Sequence, residues 1–212
     1  MNFNLLHEIV LVIMVALLAV AVGVIIERFI YFGYIERNRK LLADLVSKSD
    51  KAGLQAAAKS SSSPFGQLLA GVISMQGGDK DALDNNVQAL YLTQQAGIKR
   101  LLWLIDTTIT LSPLLGLLGT ILGIIDTFNA LASQGVSDPQ AVSRGIGTAL
   151  FATAAGIGIA AFCLVFHNYF MERVERVNEQ LKVLALRQAA AGATEIARNE
   201  QPKLKSLEQA AA

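Results

Sequence analysis

Three stretches of this chain of 212 residues carry no Asp, Glu, Lys or Arg over a length that matters for lipid. The first runs from Ile9 to Ile26, meets Glu27 and Arg28, and stays largely apolar through Phe32. The second lies between Asp106 and Asp126, and the third runs from Gly145 to Phe166. Crossing a bilayer takes about 20 mostly apolar residues. Inside lipid every backbone N–H and C=O must be satisfied within the protein, which leaves helices for spans of this kind. The expected fold class is therefore an all-α integral membrane protein with three transmembrane helices. Composition agrees: 17% of the residues are charged, against about 25% in soluble domains.

Lys and Arg near the spans set the orientation. None precedes the first span, whereas Arg28, Arg37, Arg39, Lys40, Lys48, Lys51, Lys59, Lys80, Lys99 and Arg100 lie between the first and second. The link between the second and third has only Arg144, and Arg173, Arg176, Lys182, Arg187, Arg198, Lys203 and Lys205 follow the third. The expected organisation is a short outside N-terminus at 1–8, a span at 9–32, a cytoplasmic helical region at 33–100 and a second span at 101–129. A short outside link at 130–143, a third span at 144–168 and a cytoplasmic C-terminal helix and tail at 169–212 complete it. The segment "MNFNLLHE" lacks the basic residues of a signal peptide and the apolar run is longer than such a leader needs, so the first span is read as retained.

The parts outside the spans read as long helical extensions. Leu41, Leu42, Leu45 and Val46 recur at helical spacing, and "SSSSP" then breaks the pattern. A short helix is expected from Pro64 to about Met75. Asp79 or Asp81 is expected to cap one continuous rod through "DALDNNVQALYLTQQAGIKRLLWLIDTT" into the second span. Beyond Phe170, Val174, Val177, Leu181 and Leu184 form an apolar seam facing a partner helix. The segment after Gln188 is expected to fray, with Pro202 as its stop.

Within the spans the small and polar residues are patterned. At about 100° per residue, Ser112, Gly116, Gly119, Thr120, Gly123 and Thr127 share one side of the second span, and Thr108 extends the stripe. Gly145, Ala149, Ala152, Thr153, Gly156 and Ala160 make a similar face on the third. Small faces let backbones approach, so both stripes should meet protein. Pro113 removes one backbone bond and would bend its helix, which is tolerated where neighbours or water satisfy the freed carbonyl. The hydroxyls of Thr108, Ser112, Thr120, Thr148 and Thr153 have two roles open to them. They can bond back to their own helix, or they can line a hydrated path. Two such helices cannot enclose a pore, but several copies around an axis can.

Much chemistry is excluded. A net charge of +1 gives no footprint for nucleic acid. One cysteine, Cys163, sits in an apolar run and reads as packing. His7 and His167 lie near the membrane borders, where interfacial packing is the ordinary role. Trp103, Tyr31, Tyr34 and Tyr169 suit interface anchors. No P-loop, nucleophile elbow or metal-ligand cluster is present, so no catalytic residue, metal or cofactor is expected and the chain does not read as an enzyme. No ionisable group lies deep in the second or third span. If the protein handles protons, the titrating acid must come from another chain.

The motifs "SPLLGLLGTILGIIDTF" and "GIGTALFATAAGIGIAAFCLVFHNYF" resemble the second- and third-span motifs of the MotA/TolQ/ExbB proton-channel family, in its TolQ/ExbB branch. The resemblance implies a ring-forming homo-oligomer, a pentamer, in the bacterial inner membrane. The ring would hold an ExbD- or TolR-like single-span partner with a membrane aspartate, and a TonB- or TolA-like protein would join them. The proton gradient would drive work on the outer membrane, either TonB-dependent-type uptake or Tol-type envelope maintenance. The family threonines facing that aspartate map onto Thr120 and Thr153. Thr148 stands where many relatives have glutamate in "GIxEALxATAxGL"; being five residues from Thr153, it points about 140° away. The implied proton pathway comprises Thr120, Thr153, Thr148 and Ser112, with Pro113, Gly116, Gly119, Gly123 and Gly156 shaping the helices. A non-conducting membrane scaffold for a partner helix or lipid is the alternative.

Overall fold

The computed structural model describes residues 3–47, 51–74, 80–134 and 139–211. Six helices follow in order: α1 (Phe3–Ser47), α2 (Lys51–Ser60), α3 (Pro64–Ser74), α4 (Lys80–Ile98), α5 (Leu102–Gln134) and α6 (Pro139–Ala211). Among the described residues every regular element is a helix. The chain forms two compact units, Met1–Arg28 with Leu101–Met171, and Phe29–Arg100 with Glu172–Ala212.

The first unit joins the start of α1, all of α5 and the first half of α6. Val10, Met14 and Leu122 form its core, with Leu115, Ala155 and Ile159 packed against it. Three helices are long and apolar enough to cross a membrane, and only 28% of each apolar window is buried. A helix apolar all round must bury that surface in protein or in lipid. Val12, Val15, Leu114, Leu117, Phe151 and Val165 all point outward, so the solvent here is lipid or neighbouring apolar protein. The chain is an integral membrane protein. Arg28, at the edge of this unit, is 2% exposed, and its guanidinium donates to Glu27 Oε1 at 2.8 Å.

In the second unit α3 packs on both α2 and α4. Phe65, Leu68, Leu69 and Val72 of α3 are buried. The serine run ends α2 and starts α3 by a definite mechanism. Ser63 is fully buried, and its hydroxyl accepts from the Gly66 amide at 3.2 Å while its carbonyl accepts from the Gln67 amide at 3.0 Å. That is an N-cap with Pro64 in the first helical position, where its missing N–H costs nothing. The seam on α6 is buried at Val174, Val177 and Leu181, and Ala185 joins it.

Two expectations about helix continuity are corrected. The rod from the α4 region into the second span is broken: α4 ends at Ile98, the Arg100 amide bonds back to the Gly97 carbonyl, and Leu101 has φ 67°. A left-handed leucine costs about 1–2 kcal/mol, and one such residue ends a helix without disturbing the hydrophobic period around it. Of the two proposed caps, Asp79 lies outside the described residues and Asp81 lies inside α4. The second correction is at Pro202, which does not stop α6; the helix runs to Ala211. The Ala, Glu, Gln, Lys and Leu around it are strong helix formers, so helix resumes past the proline. At the other end, α5 and α6 extend to Gln134 and from Pro139, into the segment read as a link.

Candidate functional site: a hydroxyl-bearing helix crossing

Within the first unit α5 and α6 run side by side in opposite directions, with their small residues meeting in register. A Cβ on Gly156 would lie 2.5 Å from the Ser112 carbonyl oxygen, and one on Gly116 would lie 2.9 Å from that of Ala152. Cβ atoms on Gly119 and Gly123 would stand 3.0 and 2.8 Å from the Cβ atoms of Ala152 and Ala149. One on Gly145 would meet the Thr127 hydroxyl. Only hydrogen fits at the Gly116–Gly156 crossing. Leucines there would hold the backbones apart.

Close approach brings three oxygens together. Thr120 Oγ1 lies 3.0 Å and Thr153 Oγ1 2.9 Å from the Gly116 carbonyl oxygen, and the two hydroxyls touch each other. Two hydroxyl protons serve three oxygen–oxygen contacts, so at any instant at most two are hydrogen bonds. The hydroxyls can trade roles by rotating about their C–O bonds. Both threonines are half-buried. Thr153 is set apart by donating across to the neighbouring helix. Thr108, Ser112, Thr127 and Thr148 each donate to the carbonyl four residues earlier, at 2.8, 2.7, 2.7 and 3.0 Å.

The remaining candidates fall elsewhere. Ser112 and Thr108 are buried one to two turns before Gly116, and α5 passes through Pro113 without ending. Thr148 is exposed and away from the triad. It lines a separate cavity of about 180 Å³ with His7, Gly123, Asp126, Thr127, Gly145 and Ala149. His7 belongs to this region: it is buried, and its Nδ1 lies 3.1 Å from the Gly119 carbonyl oxygen. A contact across 112 residues of sequence leaves no local pattern by which the sequence could have revealed it. Asp126, at the end of the second charge-free stretch, lines the same cavity. Among the described residues no group of three His, Cys, Asp or Glu side chains could hold a metal.

Comparison with known proteins finds relatives of this sequence. Residues 48–183 match the model of the MotA/TolQ/ExbB proton channel family. The chain is 31% identical over 156 residues to a Synechocystis protein named biopolymer transport protein ExbB-like 3, covering 71% of this chain and 74% of that one. It is 34% identical over 73 residues to the biopolymer transport protein ExbB of Aquifex aeolicus, covering 34% of this chain and 49% of the relative. Against biopolymer transport protein exbB1 of Vibrio cholerae it is 48% identical over 62 residues, covering 29% of this chain and 26% of the other.

Proposed function

This chain belongs to the MotA/TolQ/ExbB proton channel family, and on that premise we propose that it is the channel subunit of an ExbB-type inner-membrane motor. Several copies, five by family resemblance, surround the span of an ExbD- or TolR-like partner whose aspartate carries the proton. The lysines and arginines support an outside N-terminus and a cytoplasmic second unit. The coupled process is biopolymer transport or envelope maintenance across the outer membrane, through a TonB- or TolA-like protein.

The observation that carries this reading is the triad of Thr120, Thr153 and the Gly116 carbonyl oxygen. Its hydroxyls can donate or accept by rotation alone, and the apolar stretches that carry them hold no Asp, Glu, Lys or Arg. That suits a wall past which a partner's carboxyl is alternately protonated and deprotonated. The hydroxyls lower the cost of a charged carboxylate passing them without trapping it, whereas a fixed cation here would hold it.

The test is proton flux in liposomes carrying the chain with an ExbD- or TolR-like one-span partner. Flux should appear with the wild-type pair and vanish when the partner's membrane aspartate becomes asparagine. Thr153→Val should reduce it about fivefold, the equivalent of one hydrogen bond of about 1 kcal/mol. Assembled particles that pass no protons under any gradient would refute conduction and leave the scaffold reading. The back-bonded hydroxyls of Thr108, Ser112, Thr127 and Thr148 are what favours that second reading.

A further inference from the structure

All three helices of the first unit converge on Gly119. A Cβ there would lie 3.0 Å from the Ala152 Cβ on α6, and 3.7 and 4.0 Å from Val10 Cγ1 and His7 Cε1 on α1. The imidazole of His7 is buried, and its Nδ1 lies 3.1 Å from the Gly119 carbonyl oxygen. A carbonyl can only accept, so Nδ1 donates. The oxygen has two lone pairs, one for the ladder of α5 and one for this bond. His7 Nε2 is buried with no hydrogen-bond partner, so among the described residues the ring is held by Nδ1.

The Gly119 carbonyl and the Thr120 amide are two halves of one planar peptide group. A donor fixed on that oxygen holds the plane, and the plane sets the direction of the Thr120 Cα–Cβ bond. Thr120 Oγ1 is the atom that meets both the Gly116 carbonyl oxygen and the Thr153 hydroxyl. Helix propensity does little to hold α5 here, because Gly116, Gly119 and Gly123 fall within eight residues.

We propose that His7 is a positioning residue for the hydroxyl triad. Its bond to the Gly119 carbonyl fixes the Gly119–Thr120 peptide and, through it, the orientation of the Thr120 hydroxyl. The role needs a donor at the place of Nδ1 and nothing from Nε2. As an anchor of Thr120 it stands on the hydrogen bonds alone; its consequence for proton flux rests on the channel reading.

Two variants separate an anchor from a ring that merely packs. The side-chain nitrogen of asparagine is bonded to Cγ, as Nδ1 is in histidine, so His7→Asn can keep the bond. His7→Leu keeps apolar bulk and loses the donor. Solid-state NMR of full-length protein in lipid bilayers reads the geometry, with His167→Gln assigning the histidines and Thr120→Val the threonine. In the wild type Nδ1 should be protonated and should correlate with a glycine carbonyl carbon. The Thr120 Cβ resonance should shift or double in His7→Leu and return towards its place in His7→Asn. In liposomes with an ExbD- or TolR-like one-span partner, His7→Leu should cut proton flux about fivefold, as the loss of one hydrogen bond would. Added to Thr120→Val it should change flux by less than about twofold, because a residue acting through Thr120 has no further effect once that hydroxyl is gone. An Nδ1 without a proton, a Thr120 resonance unmoved in folded His7→Leu, or equal flux losses with and without the Thr120 hydroxyl would overturn the proposal. The wild-type spectrum needs no His7 variant, so misfolding of His7→Leu cannot shelter the idea. A wild-type complex that conducts nothing would sink the channel reading alone, and the Thr120 resonance would still decide the anchor.

Discussion

Gly156 and Ser112 meet so closely that a methyl group on the glycine would lie 2.5 Å from the serine carbonyl oxygen. A backbone carbonyl cannot swing aside as a side-chain terminus can, so the spacing of α5 and α6 depends on that hydrogen. The hydroxyl triad is set by the same spacing, since Thr153 reaches Gly116 only because the helices touch one turn away.

Gly156→Ala is expected to destabilise the helix pair by about 1–3 kcal/mol, the usual cost of overpacking. Gly158→Ala, two residues on, meets nothing within 4 Å and should be neutral or stabilising by up to about 1 kcal/mol through helix propensity. Reversible unfolding in mixed detergent micelles measures both. Equal effects would refute the crossing.

Thr153→Ser should retain most flux and Thr153→Val should not, because the hydroxyl and not the methyl makes the bond to Gly116. Thr120→Val leaves that cross-helix bond in place and should cost less assembly stability than Thr153→Val. Thr148→Val removes only a back-bond at an exposed position, and its stability should change by less than about 0.5 kcal/mol. Flux assays and unfolding on the same preparations separate the two kinds of effect.

Ser63→Ala removes the cap of α3 and should cost about 1 kcal/mol, seen as faster hydrogen exchange at the Phe65 and Gly66 amides. Ser63→Asp retains an acceptor oxygen and should restore protection in part. Unchanged exchange in Ser63→Ala would remove the capping role.

The α6 seam gives a contrast between two leucines. Leu181 is fully buried, and Leu181→Ala should cost about 2–5 kcal/mol. Leu186 is 61% exposed, and Leu186→Ala should stay within about 0.5 kcal/mol. Thermal or denaturant unfolding of full-length protein decides it.

Much was legible in the sequence where it depended on local period. Absence of charge marked three spans, "SSSSP" marked the start of α3, and Val174, Val177 and Leu181 marked a seam that is buried. Features set by one backbone torsion or by distant contact were not legible. Leu101 adopts φ 67° inside a stretch whose pattern reads as continuous helix. His7 finds Gly119 from far along the chain, and a histidine near a membrane border gives no sign of which side chains will surround it.

The sequence by itself determined that this chain is helical, that three of its segments belong in lipid, and that small residues line one side of two of them. Those are consequences of hydrophobic transfer and of 3.6 residues per turn, which act on each segment alone. Only the tertiary structure decided that the two small faces meet each other, that Thr120 and Thr153 share one carbonyl, and that His7 and Asp126 border the same cavity. Such pairings depend on which backbones approach to within a hydrogen's width, and that is fixed when all three helices pack together.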